Sequence, residues 1–334
     1  MTKNAFLITA TLAASLCWVG CNKSGKLNET SKVTTPAGPV ELKLKWSVGE
    51  HITQSLAMKM NMEISGANLP GPIKQDMTLG EDYGLNVLSA DASGGHEVEM
   101  EFLGIRMKME QGGKTMVDYD SAKKAPNATR DPTLAAMEKM FENVVGAKIQ
   151  YFLDASNQVE RIEGVDALTS HLAAGGRADS ANSMKSMFSD ETLKQMISGQ
   201  HLPPKPVQPG DSWPVQMDIA MGDLGTMVMD YTFTFVRWET HGKRTCARLE
   251  FQGSLKSKNL PDSTSSGVTV SVQDGDSSGV AWFDPELGMV IETIMNQDMN
   301  GKITVPVNGR GKNVTQTMTS VMKQAITVKV ESVK

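Results

Sequence analysis

Apolar residues recur at every second position over most of this chain, and that spacing constrains the fold more than any other feature. Leu56, Met58, Met60, Met62 and Ile64 lie on one side of an extended segment, with Ala57, Lys59, Asn61 and Glu63 on the other. Met77, Leu79, Tyr83, Leu85 and Val87 repeat the pattern, and Val98, Met100 and Phe102 alternate with Glu97, Glu99 and Glu101. A period of two puts one face of an antiparallel strand on a core and the other in water. The phase slips at Leu103-Gly104 and resumes with Ile105, Met107 and Met109. Such a slip beside glycine predicts a β-bulge that bends a long strand. The alternation returns at Met229, Tyr231, Phe233 and Phe235, then at Ala247, Leu249 and Phe251, and again at Ile326, Val328 and Val330. The spacing predicts a mainly β fold with inserted helices, its long antiparallel curved strands forming one or two half-barrel sheets.

Helical spacing is confined to the middle of the chain. Asp131 reads as an N-cap and Pro132 as the first helical position; Leu134, Met137, Phe141 and Val144 form one face, and Gly146 stops the helix. A weaker helix covers 165–172, and Asp190 caps a third with Leu193, Met196 and Ile197 inward. Pro203, Pro204, Pro206 and Pro209 make a stiff connector, and residues 262–278 read as a long polar loop. Residues 41–200 are expected as a β-domain with a helical insertion, and 207–334 as a second β-domain or half.

The two halves carry similar punctuation. Trp46-Ser47-Val48-Gly49-Glu50 opens the first long strand, and Pro209-Gly210-Asp211-Ser212-Trp213 opens the second half. Each half later has an aromatic strand that ends in an acidic turn. The first is Tyr151-Phe152-Leu153-Asp154 with Asn157, and the second is Trp282-Phe283-Asp284 with Gly288. Internal duplication and chance similarity between strand-rich segments both fit this pattern.

On those openings, alternating strands and aromatic-Asp turns, residues 40–334 resemble an uncharacterised family of bacterial lipoproteins, a domain of unknown function. The architecture also resembles curved-sheet lipoprotein-carrier proteins, in which a half-open barrel with helices beneath it holds acyl chains. That second resemblance implies a hydrophobic ligand.

The first residues read as an export signal. Lys3 precedes an apolar run over 5–19, short for a bilayer span. Trp18-Val19-Gly20-Cys21 then resembles a lipobox, although Trp18 stands where the pattern prefers Leu. The resemblance implies cleavage between Gly20 and Cys21 and a diacylglyceryl thioether on Cys21. A plain secretory signal and a membrane-anchoring helix are the alternatives. Residues 21–40 are rich in Lys, Ser, Thr, Gly and Pro and read as a flexible tether. Asn22 in place of Asp favours the outer membrane under the proteobacterial sorting rule. The expected location is the cell envelope, lipid-anchored and facing the periplasm.

Composition narrows the chemistry. A net charge of −5 and a pI near 5.6 argue against nucleic acid as a partner, because phosphate binding needs a basic surface. Cys17 and Cys21 lie in the export region, leaving Cys246 alone and no disulfide framework. Methionine is abundant, at 23 residues. Met58, Met60 and Met62 share one strand face, and Met107 with Met109 and Met227 with Met229 repeat the arrangement. These stripes read as adaptable core, as the lining of a cavity for a flexible lipid-like ligand, or as a thioether copper site. His51, His96, His171, His201 and His241 show no ligand spacing. Gly275-Asp276-Ser277-Ser278-Gly279 and Gly210-Asp211-Ser212 look superficially like nucleophile segments but also spell ordinary turns. The Glu97, Glu99 and Glu101 row self-repels unless faced by cations, which Lys or Arg on a neighbouring strand could supply; it reads as a solvated outer face, with a cation or partner surface as the alternative. No cofactor motif is present. The chain thus reads as a non-enzymatic envelope protein that binds a hydrophobic ligand or a protein partner. The rival reading is a hydrolase whose site is assembled from distant loops.

Only the thiol of Cys21 can take the lipid. Cys21→Ser is expected to abolish palmitate labelling and leave an unprocessed precursor or a soluble product; normal labelling of the variant contradicts the lipid anchor.

Overall fold

Long alternating segments become long strands in the computed structural model, which describes residues 36, 38–123, 132–173, 194, 201–220, 225–258, 269–309 and 312–334. Gly20 and Cys21 lie outside these residues, as does nearly all of the helix expected after Asp190. The first half contains β1 (His51–Ser65), β2 (Ile73–Ala90), β3 (His96–Gln111), β4 (Lys114–Asp120), α1 (Pro132–Val144), β5 (Lys148–Leu153), β6 (Val159–Glu163) and α2 (Val165–Ala173). The second contains β7 (Ser212–Ala220), β8 (Thr226–His241), β9 (Arg244–Lys258), β10 (Thr269–Asp284), β11 (Met289–Gly309) and β12 (Lys312–Val333). All of these strands belong to one antiparallel, curved, open sheet. Its order is β6-β5-β3-β2-β1-β12-β11-β10-β9-β8-β7, with β4 paired to β3 off this path.

The expected bulge is present. Asp82 pairs with Gly104 and Tyr83 with Phe102, so Leu103 is extruded and points to solvent. The acidic row of β3 also finds its cation: Lys148 of β5 lies 2.8 Å from Glu99 and 3.4 Å from Glu101. Helix α1 starts at Pro132, buries Phe141 and Val144, and is followed by Gly146 in the left-handed region. Tyr119 of β4 packs on Phe141 with ring centroids 5.3 Å apart, and α2 adds Leu168 to the same core.

One expectation is corrected. The long loop assigned to 262–278 gives way to β10 from Thr269, so Ser277 lies inside a strand rather than in a turn. The segment looked like a loop because its inward positions are Gly275, Ser277 and Gly279. Those small residues make room for their neighbours. A Cβ on Gly275 would come within 2.9 Å of a Leu255 methyl, and one on Gly279 would collide with the Phe251 ring.

The two halves open with the same bonds. Gly49 N donates to Val87 O, Val87 N to Glu50 O, and Glu50 N to Ser47 O. Gly210 N donates to Phe235 O, Phe235 N to Asp211 O, and Asp211 N to Gln208 O. Both glycines have positive φ, +86° and +100°, which makes them the residues of choice there. The aromatic-Asp turns correspond as well. Asp154 accepts from the backbone N–H of Ser156 and Gln158, and Asp284 from those of Glu286 and Leu287.

Both turns grip one extended segment. The Asn157 amide donates to Leu44 O at 3.0 Å, and Lys45 N donates to Gly288 O at 3.0 Å. Val40 exchanges two backbone bonds with Val207, shortly before β7. This segment, residues 40–46, therefore straps the two sheet edges together. Laid flat, β6 and β7 would lie about 48 Å apart at the usual strand spacing. Four residues of chain between Val40 and Leu44 span at most about 14 Å. The sheet must curl until its edges nearly meet at the strapped end. Leu42, in the strap, is 2% exposed and belongs to the main core.

Leu42→Ala is expected to cost about 2–4 kcal/mol of stability, as a large-to-small core change does. Lys43→Ala, on the exposed side, should stay within about 0.5 kcal/mol. Urea denaturation midpoints of the two variants check this; equal midpoints would mean that the strap is not part of the core.

Candidate functional site

The inner face of the curl gathers every methionine stripe seen in the sequence. Its residues fall into cross-strand rows. Nearest the strap the face is aromatic and branched: Ile52, Tyr83, Tyr151, Phe233, Phe235 and Phe283 are almost fully buried there. Such side chains have few rotamers and pack rigidly. Further along, thioethers take over. Met109 of β3 pairs with Met77 of β2, and Met77 with Met60 of β1. One row beyond, Met62 pairs with Met322 of β12, and Met322 with Met299 of β11. On the opposite wall Met229 of β8 pairs with Met217 of β7.

Met58, Met60, Met62, Met107 and Met109 therefore share one buried face, and Met227 and Met229 lie on the same face of β8. The structure thus joins the stripes into one surface. Methionine is unbranched and fills irregular space without fixing its shape. From Leu56 to Met62 this surface runs about 20 Å at the usual strand rise, comparable to a long acyl chain.

Polar side chains interrupt it. Glu81 of β2 occupies an inward position between Leu79 and Tyr83, opposite Leu56 of β1 and Ile105 of β3. Burial pushes its carboxyl up from the ordinary 4.5 to about 7. Gln54 is its diagonal neighbour on β1, and the Gln54 amide nitrogen is buried with no hydrogen-bond partner. The Thr293 hydroxyl and the Gln324 amide nitrogen are in the same position. Buried polar groups in native proteins are nearly always satisfied, so a set of orphans on one wall marks a place where a partner is missing.

Other candidates are structural. Burial, then the nearby Asp284 carboxylate, pushes the Cys246 thiol up to about 12, so it is no nucleophile at neutral pH. Ser277 is buried and accepts from the Tyr231 hydroxyl at 3.2 Å, and Ser212 Oγ lies 2.8 Å from Thr234 Oγ1 at a strand edge. His241 stacks on Trp282 with centroids 4.1 Å apart and bonds Glu292 at 2.7 Å, and Arg248 sits over the same indole. That cluster is satisfied and lies on the outer face. His201 is buried next to β7, and desolvation lowers it to about 4.

Sequence reading missed Glu81, Gln54, Gln297, Thr293 and Gln324. The signal was there: each is a polar residue in the apolar phase of an alternating strand, as Glu81 is between Leu79 and Tyr83.

Residues 93–305 match the model described as DUF6263, a family of unknown function, and the chain belongs to that family. No curated protein matches it. Among solved structures it is similar to one titled for lipid-protein interactions in lipovitellin. That likeness has 9% identity and a TM-score of 0.42, covering 87% of this chain and 26% of the other. The chain thus spans about a quarter of that molecule. A protein with a YmcC-like fold from Bacteroides fragilis shows 12% identity and a TM-score of 0.28, covering 88% of this chain and 100% of that one. The outer membrane protein OprG from Pseudomonas aeruginosa shows 8% identity and a TM-score of 0.21, with coverage of 88% and 100%. All three scores lie below 0.5 and carry no weight for function.

Glu81 also makes a stability prediction. With its carboxyl raised to about 7, the folded chain holds a proton that the unfolded chain releases above 4.5. Stability therefore falls as pH rises through that interval. Below 6.5 the lowered His201 works in the opposite sense, losing stability as pH falls towards about 4. Glu81→Gln isolates the first effect. It should add stability on the order of 3 kcal/mol at pH 8 and little at pH 4.5. Urea unfolding at both pH values checks it, and a gain independent of pH contradicts the assignment.

Proposed function

We propose that this protein is a lipid-anchored cell-envelope protein that binds a hydrophobic, chain-like ligand on the inner face of its curled sheet and performs no catalysis. The observation that carries this reading is the change of side-chain type along that face. Aromatic and branched residues fix the strapped end, where the edges are tied. Methionines take over in the rows beyond it, and past those rows, where no strap is seen among the described residues, Ile64 and Ile303 lie beside Met318. A wall that only had to be filled would be served by residues of defined shape, because cores gain specificity from unique packing. Thioether rows on facing walls instead allow repacking around a guest of variable shape.

Three further observations support the reading. The sheet is open between β7 and the edges formed by β6 and β4, so the inner face has a seam through which a chain can pass. The rows from Leu56 to Met62 extend over about 20 Å of strand, a length that suits an acyl chain, with polar side chains at a few positions among them. The orphaned amides give such a guest a fixed polar end, and a few placed polar groups in an apolar pocket are the usual basis of orientation. The anchor at Cys21 and an outer-membrane address facing the periplasm belong to the same proposal and rest on the lipobox resemblance and Asn22.

Native mass spectrometry of the full chain purified from its own host tests the function. A co-purifying lipid mass, lost on unfolding, is expected. A clean ligand-free mass together with turnover on ester or glycoside substrates overturns the reading in favour of a hydrolase. Met60→Ala refines the test. If the thioether lies against a guest rather than a fully packed neighbour, the loss should fall below the roughly 2–5 kcal/mol of a packed-core truncation. A full loss, with no fatty-acid probe bound by the wild type, removes the ligand face.

A further inference from the structure

The middle row of the inner face changes chemistry halfway along. On β3, β2 and β1 it reads Met109, Met77, Met60. Met60 then pairs with Gln324 of β12, Gln324 with Gln297 of β11, and Gln297 with Ser277 of β10. Beyond Ser277 the row passes Gly253 of β9 and reaches Tyr231 of β8. Gly253 lets the phenol cross: a Cβ there would lie 2.6 Å from the Tyr231 ring, whose hydroxyl reaches Ser277. Gln324, Gln297, Ser277 and Tyr231 are all buried, at 3–6% exposure. They form one polar strip that continues directly into a strip of thioethers.

This strip has donors left over. The Gln324 amide nitrogen has no hydrogen-bond partner. For the Gln297 amide nitrogen the described acceptor is the Met295 sulfur at 3.7 Å, a weak one. Leaving a buried amide unsatisfied costs about 1–3 kcal/mol, so the unpartnered Gln324 amide, beside a Gln297 amide whose described acceptor is a weak sulfur, calls for an acceptor from outside the chain. The required acceptor is uncharged. No Lys or Arg occurs among the buried residues described, and the titratable side chain buried on this face is Glu81, two rows away. A phosphate or carboxylate placed here would be desolvated without a counter-ion and would sit on a face that already holds a carboxyl. An ester carbonyl or a glycerol hydroxyl accepts from the amides at no such cost.

Resting on the ligand-binding reading above, we propose that the strip Gln324–Gln297–Ser277–Tyr231 receives the uncharged, ester-linked head of an acylglycerol-type lipid, with the acyl chain lying on Met60, Met77 and Met109. The strip makes the protein selective for neutral lipids over fatty-acid anions and phospholipids, because only the neutral head satisfies the amides without burying a charge.

The test compares monooleoylglycerol with oleate, each displacing a fluorescent acyl probe at pH 8.5. It uses the full chain carrying Cys21→Ser, so that no acyl chain of its own competes. The neutral ester is expected to bind about tenfold tighter or better, the discrimination that one or two satisfied hydrogen bonds provide. The double variant Gln297→Leu/Gln324→Leu keeps side-chain volume and removes both amides. It should weaken monooleoylglycerol binding about tenfold, the loss of one or two hydrogen bonds, while the charge penalty on oleate remains. Equal affinities in the wild type, or an undiminished monooleoylglycerol affinity in the variant, overturn the proposal while leaving ligand binding intact. Binding of neither compound, nor of the probe, overturns the ligand-binding reading and this proposal with it. Near-UV circular dichroism shows whether the double variant is folded; if it is not, the wild-type preference alone decides.

Discussion

A sheet with one apolar face has to cover that face, and here the sheet covers it with itself. Twelve antiparallel strands of alternating sequence form one surface, and among the described residues α1 and α2 are the only helices of more than one residue. Two short helices cannot shield so wide a face. The curl supplies the rest, and the strap at 40–46 holds the curl. Every other feature follows from that closure. The aromatic-Asp turns are placed to grip the strap at consecutive residues, Leu44 and Lys45, from opposite halves. The small residues of β10 lie where neighbouring strands need room for Phe251, Leu255 and Tyr231. The Gly49 and Gly210 openings set β1 and β7 into the same relation with β2 and β8.

Closure by curling differs from closure into a barrel. A barrel has no edges, whereas this sheet keeps β7 at one side and β6 and β4 at the other. All three are short, and β7 carries Pro214, which cannot donate to a further strand. Among the described residues the strap ties the edges at one end, and no second tie is seen at the other. Rigid rings lie beside the strap, and the thioether rows of Met60 and Met62 lie beyond them, ahead of Ile64 and Ile303. On the proposed reading, the walls at the thioether rows separate around a guest without breaking the bonds that hold the edges.

Much of the fold was legible because a period of two is a strong signal when it runs over many strands. The bulge at Leu103, the cation facing Glu99 and Glu101, the α1 face and the two acidic turns were all readable from local chemistry. The β10 segment was not. Its inward positions are glycine and serine, and their reason for being small lies on strands β8 and β9, distant in sequence. The strap was equally hidden. Residues 40–46 look like the end of a tether, and their role depends on partners at 157, 207 and 288. The methionine stripes were visible one strand at a time, but their union into rows required the register of the sheet. The polar strip was missed for a related reason. Gln297 and Gln324 are unremarkable alone, and become a site only when β11 and β12 set them side by side and Ser277 joins from β10.

The account stands on the inner face being a ligand surface as well as a core. The most direct measurement is photo-crosslinking with an acyl lipid that carries a diazirine near the end of its chain, followed by peptide mapping of the labelled full chain. Labels are predicted on inward positions of the methionine rows, such as Met60, Met62, Met77 and Met299, and not on the outward Lys59, Asn61 or Asp76 of the same strands. Labels on the outer face, or none above the level given by the unfolded chain, would contradict the account.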